Sequence, residues 1–118
     1  MATGTTAHFL PLSPASLHIL LALAVEDRHG YHIMQEIAKH AQGQYKIGPG
    51  TLYDNLQKMM NQGLVEESHR ATRDEDSRRR YYRLTRLGRS VLSAEVDRLE
   101  NVLRNARTYL QPASGKRS

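Results

Sequence analysis

The chain has 118 residues, 39% of them hydrophobic and 25% charged, which supports one core and one domain with an extra arm and excludes a disordered chain. Its net charge of +5 and pI near 9.8 favour an anionic partner, nucleic acid first and a membrane surface second. The absence of Cys excludes disulfides, thiolate zinc fingers and thiol catalysis, and it fits a cytoplasmic protein.

Residues 1–11 carry small and hydroxyl side chains without a period, and no basic residue precedes an apolar run. They read as a flexible leader without an export signal, from which Phe9 and Leu10 can dock onto the body. A helix then starts cleanly: Ser13 caps it, Pro14 takes the first helical position, and Leu12 and Leu17 form a hydrophobic staple. Its apolar residues, Leu17 to Val25, cover nearly all of its surface, so it belongs at the centre of the core or in an oligomer interface. The apolar run from Ile19 to Val25 is far too short to cross a bilayer, and no membrane partner is expected.

Glu26 to Gly30 read as a turn. A second helix is predicted from about Tyr31 to Ala41, with Ile33, Met34, Ile37 and Ala38 inward and Gly43 ending it. Tyr45-Lys46-Ile47 has the composition of a brief strand. The third helix has its own start and stop. Gly48 and Pro49 suit its N-cap and first position, Ile47 and Leu52 its staple, and Gly63 a left-handed C′ residue. Leu52, Leu56, Met59 and Met60 share its inner face. Its outer face carries Thr51, Asp54, Gln57, Lys58 and Asn61, mostly neutral hydrogen-bonding groups of the kind that read base edges in a major groove. Helix, short connection and polar-faced helix make a helix-turn-helix pattern.

Beyond Gly63 the period changes. Leu64 to Arg70 and Arg78 to Leu84 read as two strands around a charged loop, a β-hairpin whose tip is a wing. Alternation puts Arg80, Tyr82 and Leu84 on one side. Thr85 then caps a helix from about Arg86 to Leu110, roughly 37 Å long at the usual rise. Leu92, Val96, Leu99, Leu103, Ala106 and Leu110 recur on it at alternating steps of four and three, a heptad seam. So long a stripe on so small a body needs a cover, and the simplest is the same helix of a second copy; folding back over its own domain is the alternative. The expected division is therefore leader 1–11, winged helix-turn-helix 12–84, dimerisation helix 85–110 and tail 111–118. The fold class is mainly α with a small β-hairpin.

Several stretches together resemble the PadR family of transcriptional regulators. They are His29-Gly30-Tyr31, Gly48-Pro49-Gly50-Thr51-Leu52-Tyr53, Gly63-Leu64-Val65 and Arg80-Tyr81-Tyr82-Arg83-Leu84-Thr85-Arg86-Leu87-Gly88. The likeness spans about residues 12 to 110, and the single C-terminal helix is similar to that of the short-armed branch, which dimerises through it. Asp54 stands where many members carry Pro. The resemblance implies a dimeric repressor whose third helix enters the major groove of double-stranded DNA and whose wing lies on the backbone. Many members release DNA when a small molecule enters a pocket near the dimer interface, so a small-molecule effector is a further expected partner. Members that use a Trp pair there are no guide to a chain without Trp.

Base readout is expected from Thr51, Asp54, Asn55 and Lys58. Asp54 either accepts from cytosine N4 or only stabilises the helix start, and Asn55 pairs with adenine if it turns outward. Tyr53 either reaches a phosphate or packs. Lys46 and the wing arginines Arg73, Arg78, Arg79 and Arg80 are expected on the backbone, where they add affinity and salt dependence rather than sequence choice. Asp74, Glu75 and Asp76 share that loop and would repel phosphate unless paired. His29, His32 and His40 lack an accompanying carboxylate or thiol cluster, so no metal or other cofactor is expected. No nucleophile elbow, phosphate loop or metalloprotease motif marks an enzyme. The competing reading is a winged-helix protein-interaction adaptor without sequence-specific DNA binding.

Overall fold

The structure, a computed structural model, describes residues 6–68 and 80–112. Helix α1 (Pro14–Val25) starts as its sequence dictates: Ser13 Oγ accepts the Ser16 N–H at 3.1 Å, and Pro14 occupies the first turn. Ile19, Leu20, Ala22 and Leu23 are buried. The helix is sheathed by the remaining elements, the only solution for a helix that is apolar nearly all round.

The predicted turn after α1 holds a short strand instead. Arg28–His29 (β1) pairs antiparallel with Tyr81–Leu84 (β3), which also pairs with Val65–Ser68 (β2), giving the order β1-β3-β2. The wing is thus part of a three-stranded sheet. The strand expected at Tyr45 to Ile47 does not form, because β1 and β2 occupy both edges of β3. Those residues pack as a connection instead. The Tyr45 ring stacks on His18 at 4.6 Å, and Ile47 lies against the core.

Helix α2 (Gly30–His40) is capped by His29, whose Nδ1 accepts the His32 N–H at 3.3 Å. It ends at His40, three residues before the expected glycine. Gln42 takes the first left-handed position (φ 53°) and Gly43 the second (φ 79°). The Gln42 and Gly43 N–H groups close on Lys39 and Ala38 carbonyls, so the pair satisfies carbonyls that would otherwise be orphaned.

Helix α3 (Pro49–Asn61) matches the sequence reading at both ends. Gly48 is its N-cap. Gly63 adopts φ 80°, with its N–H on Met60 O and the Leu64 N–H on Met59 O at 2.9 Å, a Schellman stop. Leu52, Leu56 and Met59 face the core.

Helix α4 (Arg86–Leu110) is fastened to that stop. Thr85 Oγ1 accepts the Gly88 N–H at 2.9 Å and donates to Gly63 O at 2.6 Å, while the Thr85 N–H donates to Leu64 O at 3.1 Å. A Cβ at Gly88 would overlap the Leu64 carbonyl, so this crossing requires glycine. Only the first part of α4 packs on the body, through Gly88, Val91, Leu92 and Glu95. Glu95 is 1% exposed. It accepts the Leu12 N–H at 3.1 Å and two bonds from the Arg98 guanidinium at 2.7 and 2.9 Å. The Arg98 bonds hold its carboxyl below the usual range, against the opposing effect of burial. Residues ahead of α1 are thereby tied to α4, and Phe9, Leu10 and Leu12 pack on the core. Helices α1 to α3 with this sheet form a winged-helix body from which α4 projects, stretching the molecule to 65 × 37 × 22 Å.

Candidate nucleic-acid interface

Helix α3 presents Gly50, Thr51, Tyr53, Asp54, Gln57, Lys58 and Asn61 to solvent. The helix begins at Pro49, which puts Asp54 beyond its first turn, where attraction to the helix dipole has faded. Asp54 has no ion-pair partner among the described residues, so its carboxylate is open to a ligand. Thr51 is exposed beside it. Gln57 donates to Asn61 at 3.2 Å, a pair lying along the outer face.

Asn55 is turned inward. Its Nδ2 donates to the Thr51 carbonyl at 2.8 Å, and its Oδ1 accepts from Ser16 at 3.4 Å. Both ends of the amide are engaged, so the outward rotamer that adenine recognition needs is not the one adopted. Tyr53 is 47% exposed, yet its hydroxyl sits over Gly30, where a Cβ would overlap it. The tyrosine tip thus fills the space that Gly30 leaves beside α2, and its ring both packs and shows an edge to solvent.

Lys46 and Lys58 are exposed and have no ion-pair partner among the described residues. Arg80 does have one, Glu67 at 3.3 Å, and Arg83 pairs with Glu66 at 2.8 Å across the β2–β3 ladder. These exposed pairs are weak and exchangeable. Arg73, Arg78 and Arg79 lie outside the described residues. Tyr82, between wing and α3, is buried. Burial, with Tyr53 and Glu67 nearby, pushes its hydroxyl above the ordinary tyrosine range despite Arg80, so it stays neutral at ordinary pH.

The sequence reading passed over Arg28. It is 4% exposed. Its Nε donates to Ala22 O at 2.7 Å, and its Nη1 lies 2.9 Å from His32 Nε2, 3.5 Å from Glu26 and 3.6 Å from Glu36. Glu36 continues to His40 at 3.3 Å. The signal was a step of four, Arg28-His32-Glu36-His40, which stacks these side chains on one face of α2 and its lead-in. The buried cation joins the last turn of α1 to the sheet and α2, and its charge is matched by acids. His29 stands edge-on to Tyr81 at 5.3 Å. No group of three or more His, Cys, Asp or Glu among the described residues could hold a metal ion. No helix among them is long and apolar enough to cross a membrane.

On α4 the six seam positions divide. Leu92 is buried in the chain's own core, and Leu99 and Ala106 are half-covered. Val96, Leu103 and Leu110 are exposed, as are Val102 and Tyr109 beside them, with Leu110 at 81% and Tyr109 at 84%. The uncovered stripe thus begins past Leu92 and is broader than the seam.

Residues 19–94 match the model of the transcriptional regulator PadR-like family. A Mycobacterium tuberculosis relative, transcriptional regulator Rv3488, is 37% identical over 89 residues, covering 75% of this chain and 78% of its own. A structure of RosR from H. salinarum superposes with a TM-score of 0.60 at 33% identity, over 82% of this chain and 79% of that one. A PadR family regulator of Clostridium difficile superposes with a TM-score of 0.71 at 21% identity, over 84% of this chain and all of the other, a likeness of fold. Taken with the winged-helix body and the open polar face of α3, these matches establish that the chain belongs to the PadR-like family of DNA-binding transcriptional regulators.

Proposed function

We propose that the protein is a homodimeric, sequence-specific repressor that reads the major groove with α3 and holds the backbone with Lys46 and the wing, and that a small molecule releases it. The observation that carries the dimer is the apolar stripe of α4. Val96, Val102, Leu103, Tyr109 and Leu110 stand in solvent on a helix that has left its own body, and a second α4 would cover them. Thr51, Asp54 and Lys58 are the readout residues this reading favours, with Asn55 confined to supporting the helix. Two copies of α3 would then address half-sites one helical turn, about 34–36 Å, or a small multiple apart.

The test is a gel-shift and footprinting titration on the gene's own upstream DNA. A protected site with two related halves is expected, together with much weaker binding to random duplex at physiological salt. Equal affinity for both would sink the sequence-specific reading. A protein-interaction adaptor is the second reading, and the pairing of Arg80 and Arg83 with glutamates favours it by lowering the free positive charge of the wing. Changing Arg78, Arg79 and Arg80 together to Ala separates the two. Loss of duplex affinity supports the regulator, and unchanged affinity the adaptor.

A further inference from the structure

On α3 a row of exposed residues, Gly50, Asp54, Gln57 and Asn61, runs opposite the buried Leu52, Leu56 and Met59. Within this row Gln57 Nε2 donates to Asn61 Oδ1 at 3.2 Å. That bond uses one N–H of the glutamine amide and leaves its second N–H and its Oε1 to solvent. A long side chain that would otherwise sample many rotamers is thereby held, which lowers the entropy cost of ordering it on a ligand. The β2–β3 ladder pairs its exposed side chains ionically, Arg80 with Glu67 and Arg83 with Glu66. The pair on α3 is neutral, so a groove that closes over it desolvates amides rather than charges. At Gly50, the start of the row, an added Cβ would meet no other part of the described structure within 4 Å. The fold does not demand glycine there, and bare backbone lets a partner lie close.

The remaining donor and acceptor lie side by side on one planar amide. Within a single base, only adenine answers both in the major groove, offering N6–H2 to Oε1 and N7 to the N–H. Guanine would set its O6 against Oε1, acceptor against acceptor. Gln57 stands three residues beyond Asp54, about 4.5 Å along the helix axis, and base pairs repeat about every 3.4 Å. The two side chains therefore engage the same half-site without competing for one base pair. We infer that Gln57 reads an adenine in each half-site through N7 and N6, and that Asn61 is its positioning residue. The inference rests on the readout role of α3 proposed above and adds to it the base and the atoms recognised.

The probe is a randomised duplex library, from which the full-length wild type and Gln57→Ala select binding sites at one salt concentration. The wild type should prefer adenine over guanine about tenfold or more at one position of each half. Gln57→Ala, an exposed position given a good helix former, should select the same site with that preference gone. The wild-type site is then remade with 7-deazaadenine at that position, which keeps the pairing to thymine and removes N7. In anisotropy titrations this duplex should bind the wild type about fivefold more weakly, the loss of one hydrogen bond, and bind Gln57→Ala unchanged. Asn61→Ala should lower the adenine preference. Asn61→Asp still offers Gln57 an acceptor, so it should keep the preference while its added charge weakens all duplexes alike. The same adenine preference, or the same 7-deazaadenine effect, in wild type and Gln57→Ala would overturn the reading by Gln57. An undiminished preference in Asn61→Ala would overturn the positioning role. A wild type that selects no site refutes sequence-specific readout and this inference with it, whereas a selected site without such an adenine overturns this inference alone.

Discussion

Glu95→Gln probes how the projecting helix is held to the body. In the wild type the buried carboxylate accepts the Leu12 N–H and both Arg98 bonds. Glutamine keeps one oxygen for Leu12 but loses the charge and turns an NH2 toward a guanidinium that can only donate. Hydrogen bonds to charged groups contribute ~1.5–3 kcal/mol. The Arg98 side chain is 38% exposed, so solvent screens its part, and a loss of about 1–2 kcal/mol is expected. The pH dependence gives the sharper test. The folded-state carboxyl lies below its unfolded value, so its contribution is complete above the unfolded value of about 4.3 and is lost as pH falls through the folded one. Urea unfolding followed by circular dichroism at fixed protein concentration should therefore show the full gap between variant and wild type at neutral pH. The gap should shrink steadily in acid. A gap of constant size, or no gap at neutral pH, would refute the ionic origin of the clamp.

Other perturbations address the remaining links. Gly88→Ala pushes a Cβ into the Leu64 carbonyl; a loss of about 1–3 kcal/mol is expected in the same unfolding assay, in line with backbone shifts forced by overpacking. Charged residues at Leu99 and Leu103 should give monomers in sedimentation velocity with an unchanged far-ultraviolet spectrum, and a steep drop in operator affinity. Glu67→Gln frees Arg80 from its 3.3 Å partner; tighter duplex binding with a steeper salt dependence is expected, by up to about one further released counterion. In alkali, Tyr82 should resist ionisation beyond the ordinary tyrosine value and stability should fall as pH rises past it, since the unfolded chain ionises first; spectrophotometric titration checks the order.

Local chemistry made much of this protein legible from its sequence. Ser13-Pro14, Gly48-Pro49, Thr85 and Gly63 set the ends of helices through caps and a left-handed residue, and each acts within a few positions along the chain. The apolar periods identified the inner faces, and the alternation of β3 set Tyr82 and Arg83 on opposite sides, of which the structure buries Tyr82. The family motifs named the class of regulator. Tertiary structure alone decided matters that depend on residues far apart in sequence. Arg28–His29 became a strand because β3 offered an edge there, and that same pairing left none for Tyr45 to Ile47. Asn55 turned inward because Ser16, 39 positions away, meets it. Leu92 joined the core because the body extends that far along α4, while Leu103 and Leu110 lie beyond it. Periodicity reports which face of a helix is apolar. What covers that face depends on where the chain returns in space, and the described residues leave Val102, Leu103, Tyr109 and Leu110 of α4 in solvent.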